Sequence, residues 1–562
     1  MKRFRFSCFK WSMFVLVVCL SLAISSVSFA KFVDRFRSFT EEGAQHGGDV
    51  VLYIAIPSSQ IDPHQGTTMG MVFNDTMNGL LRLSPTMDGT YELDLAESWE
   101  QLDSMTYKFV LRKGVRFQNL PPVNGRELTS ADVKYSIRRM AGLEIPPEPP
   151  PEKRKDWGRS LRFGSFKHNY CWTSLDSIET PDKYTVIIKM KQPFAPTLNY
   201  LASAWSKIVP REVVDAHGHF SKVSIGTGPF ILKEKRQDAY MICERNPDYF
   251  KKPYPYLDRV KYLFIKEPSS AMAAFLAHKI EWLTPSSQHR DTVMKETPDS
   301  NFNEYTSTFQ AVFRLPPWDS TKGELRKPWS DIRVRRAIIM AIDKDKVVSL
   351  GRQGYAVKNV GPVVNWPPYT LPQSENTEYN PEKARKLLAE AGYPNGFKAE
   401  ILTYSTTSFQ AVAQVIQDML KGIGLDVELK ILEAAQYFRK VYTYKYDMAV
   451  HAMTSPTDPD EVLSPYFGQV KHSTYYKWSD PVLWDMIEKQ KHIMDPRERA
   501  AYIQDVQRRI LDQAFTSFLY SDNYLVALPP YLHVKFRKNG FQAYMNERTW
   551  IDKAAQAKWR KD

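Results

Sequence analysis

The stretch Ala399-Glu400-Ile401-Leu402-Thr403-Tyr404 is followed by apolar residues at helical spacing, Val412, Val415, Ile416, Met419, Leu420 and Ile423, and then by the alternating Val427, Leu429 and Ile431. A strand, a helix and a strand are predicted, because the apolar period changes from two to 3.6 and back. Units of this kind build mostly parallel sheets whose ligand clefts lie beyond the carboxyl ends of the strands. Just upstream, Asn380-Pro381 opens a helix with apolar Ala384, Leu387, Leu388 and Ala391 that stops at Gly392. Near the start, Asp49 to Ile56 is a near-continuous apolar run closed by Pro57, which predicts a strand buried on both faces. Tyr107, Phe109 and Leu111 alternate with Lys108, Val110 and Arg112, a strand with one more exposed face. Thr129, with Asp132 three residues later, predicts the cap of a helix running to about Met140. From Leu143 to Lys155 the chain is rich in Pro and charge and reads as an irregular surface excursion. The class is α/β.

The first thirty residues set the compartment. Lys2, Arg3, Arg5 and Lys10 precede an apolar run from Trp11 to Ile24, and Ser28-Phe29-Ala30 presents small residues where a signal peptidase cuts. About fourteen apolar residues fall short of the roughly twenty that span a bilayer, which favours a cleavable export signal over residues 1–30 rather than an anchor. Val18 stands where a small residue would precede a lipidated Cys19, so free release is favoured over a lipid anchor. Cleavage removes four basic residues and no acidic one, taking the formal charge from +13 to +9. The remaining charges are scattered rather than gathered into a run, and export argues against a nucleic-acid partner. Cys171 and Cys243 remain; an oxidising compartment permits a disulfide, but spacing alone pairs nothing, and the two make no metal signature. A mature chain of about 530 residues exceeds one core, so two or three domains are expected.

Several blocks recur in a recognisable order: Ile61-Asp62-Pro63-His64, Leu95-Ala96-Glu97-Ser98-Trp99, Thr106 through Phe117, Leu128-Thr129-Ser130-Ala131-Asp132-Val133, Gly226-Thr227-Gly228-Pro229-Phe230, Arg245-Asn246-Pro247-Asp248-Tyr249-Phe250, Val334-Arg335-Arg336-Ala337-Ile338 with Ala341-Ile342-Asp343, and Asn380-Pro381-Glu382-Lys383-Ala384. Together they cover nearly the whole mature chain. The set resembles the family 5 extracellular solute-binding proteins, which include the oligopeptide, dipeptide and nickel receptors of ABC importers. The resemblance implies a two-lobed, three-domain periplasmic-binding-protein-like fold of mixed sheets with a hinged cleft. Domain I would hold 31–75, 215–300 and 521–562, domain II 76–214 and domain III 301–520. It also implies a monomer in the periplasm that takes a small peptide or peptide-like ligand to an inner-membrane ABC permease, without a cofactor. Most of the shared blocks read as scaffold: Asn246-Pro247-Asp248 forms a turn, and Gly226 and Gly228 suit a tight bend where chain crosses between lobes.

The cargo is addressed by Tyr446 through Asp460, which resembles the family stretch where a strand enters the cleft and a carboxylate holds the ligand's amino group ahead of an acidic-Pro pair. Here that pair is Asp458-Pro459, and the carboxylate position falls on Ser455, with the aromatic region on His451 to Met453. A hydroxyl does not neutralise a buried ammonium. The Arg that dipeptide receptors use for the terminal carboxylate would fall near Ser405 to Ser408, where there is none. The candidate ligand-binding set is therefore His451, Met453, Thr454, Ser455, Asp458, Tyr404 and Trp366, suited to a polar, weakly charged solute such as a modified peptide, a sugar conjugate or an opine. Each has a plainer reading: Tyr404 and Trp366 serve the core equally well, Asp458 shapes its turn, and His451, without a second ligand at metal spacing, reads as a pocket or core residue rather than a metal ligand.

The implied mechanism is hinge closure around the ligand, with hinges near residues 300 and 520. An enzyme is the rival class. Asp458, Asp460 and Glu461 sit almost adjacent in one loop, whereas a hydrolytic acid and base come from separate elements. No nucleophile elbow, His-Glu-Xaa-Xaa-His or phosphate-binding glycine loop occurs. A chemoreceptor partner or a periplasmic chaperone on the same fold stays open beside the importer.

Overall fold

The computed structural model describes residues 41–55, 61–65, 70–84, 90–144, 169–220, 223–315, 318–319, 324–405, 407–454, 458–469, 480–536 and 546–559. The export signal, most of the Pro-rich excursion and Ser455 lie outside these. The architecture is α/β and two-lobed, built on three principal sheets.

The first sheet has four strands, Asp49–Ile54 parallel to Arg259–Phe264, followed by antiparallel Tyr240–Arg245 and Phe230–Arg236. The strand at 49–54 is shorter and less buried than its composition predicts. Val50 and Leu52 are buried, but Val51 and Tyr53 are half-buried, because the strand lies at a sheet edge and its second face meets only the small cluster around Ala271 and Phe275. The second sheet is antiparallel, in the order Ala96–Gln101, Thr106–Leu111, Thr185–Met190, Leu175–Glu179. Tyr107, Phe109 and Leu111 are buried in its core, and Lys108 and Val110 are not. The expected helix follows as Ser130–Met140, and the Asp132 carboxylate accepts from the Thr129 backbone N–H at 2.9 Å.

The third sheet has six strands in the order Ala356–Lys358, Thr516–Leu528, Asn301–Arg314, Met448–Thr454, Lys398–Tyr404, Asp426–Leu432. The predicted strand-helix-strand unit is here: Lys398–Tyr404 runs parallel to Asp426–Leu432, with helix Thr407–Gly422 between them in sequence. Val427 is buried while Ile431 is 49% exposed, because the strand forms the edge of the sheet. Helix Pro381–Glu390 is capped by the Asn380 side chain, which accepts from the Lys383 N–H at 2.9 Å.

Two features join the first two sheets into one lobe. The backbone at Gly226 and Gly228 lies against the backbone at 75–77, so close that a Cβ on Gly228 would stand 2.3 Å from the Thr76 carbonyl carbon. Close approach, rather than an unusual backbone angle, therefore requires both glycines. Beside this crossing the Gln118 side-chain amide donates to the Phe230 carbonyl at 2.7 Å. The second feature is an ion pair. Arg139, on the helix of the second sheet, donates to both oxygens of Asp62 at 2.9 and 2.6 Å and meets His64 Nδ1 at 2.7 Å. His64 Nε2 donates to the Lys207 carbonyl at 2.9 Å, which assigns Nδ1 as the acceptor from Arg139. Burial pushes the Asp62 carboxyl up, but Arg139 outweighs it and holds the group below its ordinary value.

The long strands Asn301–Arg314 and Thr516–Leu528 connect the lobes. Phe302, Leu525 and Ala527 pack in the small cluster beneath the first sheet, whereas Ala311, Phe313, Leu519 and Tyr520 pack in the core of the third. Between these ends the ladder shifts register, from Thr306 to Gln310.

Replacing Arg139 by Met leaves Asp62 charged, buried and uncompensated, and should cost about 3–5 kcal/mol in urea unfolding. Gly228→Ala should also lower the midpoint sharply, because no side-chain rotation relieves a backbone contact.

Candidate ligand-binding cleft

Strands Lys398–Tyr404 and Met448–Thr454 are parallel, with Ile401 opposite Met448 and Leu402 opposite Ala449, so Tyr404 and His451 come level at their carboxyl ends. An aromatic wall forms there. The Tyr404 ring lies 4.9 Å from Tyr437, 5.1 Å from Phe409 and 5.6 Å from Phe438. His451 is buried; its ring stacks on Tyr437 at 6.0 Å and meets Phe438 edge-on at 6.0 Å. The Tyr437 hydroxyl donates to the Val450 carbonyl at 2.6 Å, so its contact with His451 Nδ1 at 3.1 Å assigns the imidazole nitrogen as donor. Burial first, and the cationic Arg314 second, push the His451 pKa well below its ordinary value, so the imidazole is neutral.

A second group forms around the loop at Asp458. Its carboxylate is fully buried, accepts from Arg499 at 3.0 and 2.7 Å and from the Asn199 side-chain amide at 2.7 Å, and caps the Asp460 N–H at 2.8 Å. Trp366 is half-buried and meets Tyr369 edge-on at 6.2 Å, and the Arg499 guanidinium lies 5.9 Å from the Tyr369 ring. The structure thus brings Tyr404 together with His451, and links Trp366 to Asp458 only through Tyr369 and Arg499. It turns Met453 inward, where it is 1% exposed among Val312, Val363, Phe467 and Phe518. Thr454 pairs with Phe309 in the sheet, and Ser455 lies outside the described residues.

The Asp458 loop also closes the space between the lobes. Asn199 and Tyr200 follow the second sheet in the first lobe. The Tyr200 hydroxyl donates to Asp460 at 2.6 Å, and the same carboxylate accepts from Ser464 at 2.5 Å and Gln490 at 2.7 Å. Nearby the Ala195 N–H donates to the Lys491 carbonyl, and His492 to the Pro193 carbonyl, both at 2.7 Å. Arg499, Asn199, Tyr200 and Tyr437 were not legible as site residues. Arg499, Asn199 and Tyr200 lie far along the chain from their partners and Tyr437 sits on a separate helix, and the only advance signal was that a buried Asp458 would require a cation.

Among the described residues no group of three or more His, Cys, Asp or Glu side chains is placed to hold a metal. Cys171 and Cys243 are buried in different cores and are not bonded to each other.

The sequence model of the bacterial extracellular solute-binding proteins, family 5, matches residues 90–474. The chain belongs to this family. This solute-binding protein is 26% identical over 492 residues to the oligopeptide-binding protein AppA of Bacillus subtilis, covering 82% of this chain and 84% of that one. Its fold matches the periplasmic binding protein DppA of Helicobacter pylori, solved with the peptide STSA, with a TM-score of 0.75 and 25% identity over 91% of this chain and 99% of that one. It likewise matches AgaA of A. tumefaciens R10, solved with agropinic acid, with a TM-score of 0.72 and 25% identity over 90% and 99%. Family members bind solutes rather than transform them, and in this solute-binding protein Asp458 and Asp460 are both engaged by protein groups.

Because folded His451 is neutral while the unfolded residue titrates near about 6.5, stability is lost as pH falls below that value, towards the lower folded pKa. His451→Gln should flatten this part of the profile when urea midpoints are compared between about pH 7.5 and 5.

Proposed function

We propose that this protein is the substrate-binding component of an ABC importer that captures a polar, weakly charged, peptide-like solute between its lobes in the periplasm and delivers it to a membrane permease. The observation that carries the ligand class is the pairing of Asp458 with Arg499 and Asn199. With that carboxylate neutralised and His451 uncharged, the residues around the loop offer aromatic faces and hydrogen bonds rather than a fixed anion for an ammonium group. Relatives that bind oligopeptides and, in the case of AgaA, agropinic acid, support a backbone-like or conjugated ligand. The candidate contacts are Tyr404, Trp366, His451, Thr454 and Ser455, with Met453 buried behind them and Asp458 holding the loop in shape.

On this reading the three sheets mark three domains: I from 31–75, 215–300 and 521–562, II from 76–214 and III from 301–520. The hinge lies where the paired strands lose register near Ser307. Closure is favoured by a ligand touching both lobes, and shifting the balance from 1:99 to 99:1 takes about 5.5 kcal/mol of differential binding. The hydrogen bonds from Asn199 and Tyr200 supply part of the closed state's stability directly. The chain acts as a monomer and as a binder, not an enzyme.

The test is small-angle scattering and calorimetry with a tri- or tetrapeptide in free and N-acetylated forms. Compaction with recovery of unchanged peptide is expected, and the acetylated form should bind at least as tightly. Clearly tighter binding of the free-amine form would overturn the ligand class; turnover would overturn the binding role. The double variant Asn199→Ala, Tyr200→Phe should weaken peptide affinity about 10-fold, two cross-lobe hydrogen bonds being worth of order 1–3 kcal/mol.

A further inference from the structure

Lys344 begins the helix Lys344–Arg352 and lines two neighbouring cavities of about 380 and 420 Å3. Its ammonium nitrogen donates to two neutral oxygens, the Asn359 carbonyl at 2.8 Å and Asn376 Oδ1 at 2.5 Å. No carboxylate among the described residues lies within ion-pair distance of it. Three of the four acids that line the cavities have other roles: Glu375 is bound by Arg508 at 2.8 Å, Asp345 by Lys358 at 2.7 Å, and Asp343 caps the helix by accepting from the N–H groups of Asp345 and Lys346; the fourth, Asp512, lines the first cavity as an exposed carboxylate. A cation at the first position of a helix also faces the positive end of the backbone dipole. Burial first, and Lys358 second, bring the Lys344 pKa down to about 7.

Two further groups make the first cavity suited to a ligand. Ser517, 2% exposed, lines it with a hydroxyl that has no hydrogen-bond partner among the described residues. Arg336 lines it with an exposed guanidinium whose hydrogen bond within the protein is a long one, 3.5 Å to the Asp512 carbonyl. An amine that titrates at about 7, a hydroxyl and a guanidinium in one cavity form a set that adds to a carbonyl, stabilises the resulting oxygen and holds an anionic group.

We propose that Lys344 is a covalent site for small aldehydes that carry an anionic group. The amine nitrogen bonds to the carbonyl carbon, both amine hydrogens leave with the carbonyl oxygen as water, and a reversible imine remains. The site is independent of solute capture in the cleft.

Pyridoxal 5′-phosphate is a suitable probe, applied near pH 7 to the full mature chain, with borohydride trapping and peptide mass mapping. Lys344 should be labelled about 10-fold or more above exposed lysines such as Lys346, since an ordinary lysine is almost wholly protonated there. Lys344→Arg should remove that label and leave the others. Arg336→Ala should lower trapping of the phosphate-bearing probe several-fold while leaving trapping of uncharged benzaldehyde unchanged. Labelling of Lys344 at the level of Lys346 in the unmodified protein would overturn the proposal, whether or not the variants fold. Equal loss of both probes in Arg336→Ala would overturn the requirement for an anionic group.

Discussion

The antiparallel pairing of Asn301–Arg314 with Thr516–Leu528 belongs to both lobes at once. Its outer ends are fixed by burial in two separate cores, so they do not slide relative to the bodies they enter. Under the proposed closure, motion between the lobes would fall on the few residues where the register shifts, near Ser307 and Asp522. A ladder with a local irregularity bends more readily than it shears, because bending there breaks no regular inter-strand hydrogen bond. In that proposed motion each lobe would move as a body, and a change in their separation would work against one short segment.

Rigidity within the first lobe comes from the opposite condition, contacts that leave no freedom at all. Gly226 and Gly228 allow two backbones to touch at 75–77, and the buried Asp62–Arg139 pair fastens the same two sheets a short distance away. A buried ion pair is weak evidence for net stability. Its value here is geometric: the bidentate guanidinium fixes the angle between the sheets, and His64, wedged between Arg139 and the Lys207 carbonyl, fixes the guanidinium. A lobe that flexed would blur the difference between open and closed forms.

The closing face is built on the same logic with a different outcome. Asp458 and Asp460 are buried acids with donors contributed by both lobes, Arg499 and Gln490 from one, Asn199 and Tyr200 from the other. Separation of the lobes removes the second set of donors but not the first, so the open form keeps these carboxylates solvated or paired. That makes closure favourable without making it irreversible, and leaves the ligand to decide the balance.

Regular local patterns were legible from the sequence: the strand-helix-strand unit at 399–431, the caps at Thr129 and Asn380, and the inward alternation of Tyr107, Phe109 and Leu111 all follow from side-chain period and short-range hydrogen bonding. The family blocks carried the two-lobed class, because residues such as Asp62, Gly226 and Gly228 are set by contacts that any chain with this crossing must make. Where packing partners decided the matter, composition misled: the strand at 49–54 is as apolar as a central strand yet lies at an edge, and Met453 sits next to the cleft stretch but points into a core. Only the tertiary structure joined Asp458 to Arg499 and Asn199, His451 to Tyr437, and left Lys344 without an acid among the described residues, because the electrostatics of a buried group are set by what the fold brings within a few ångströms of it, not by its neighbours in the chain.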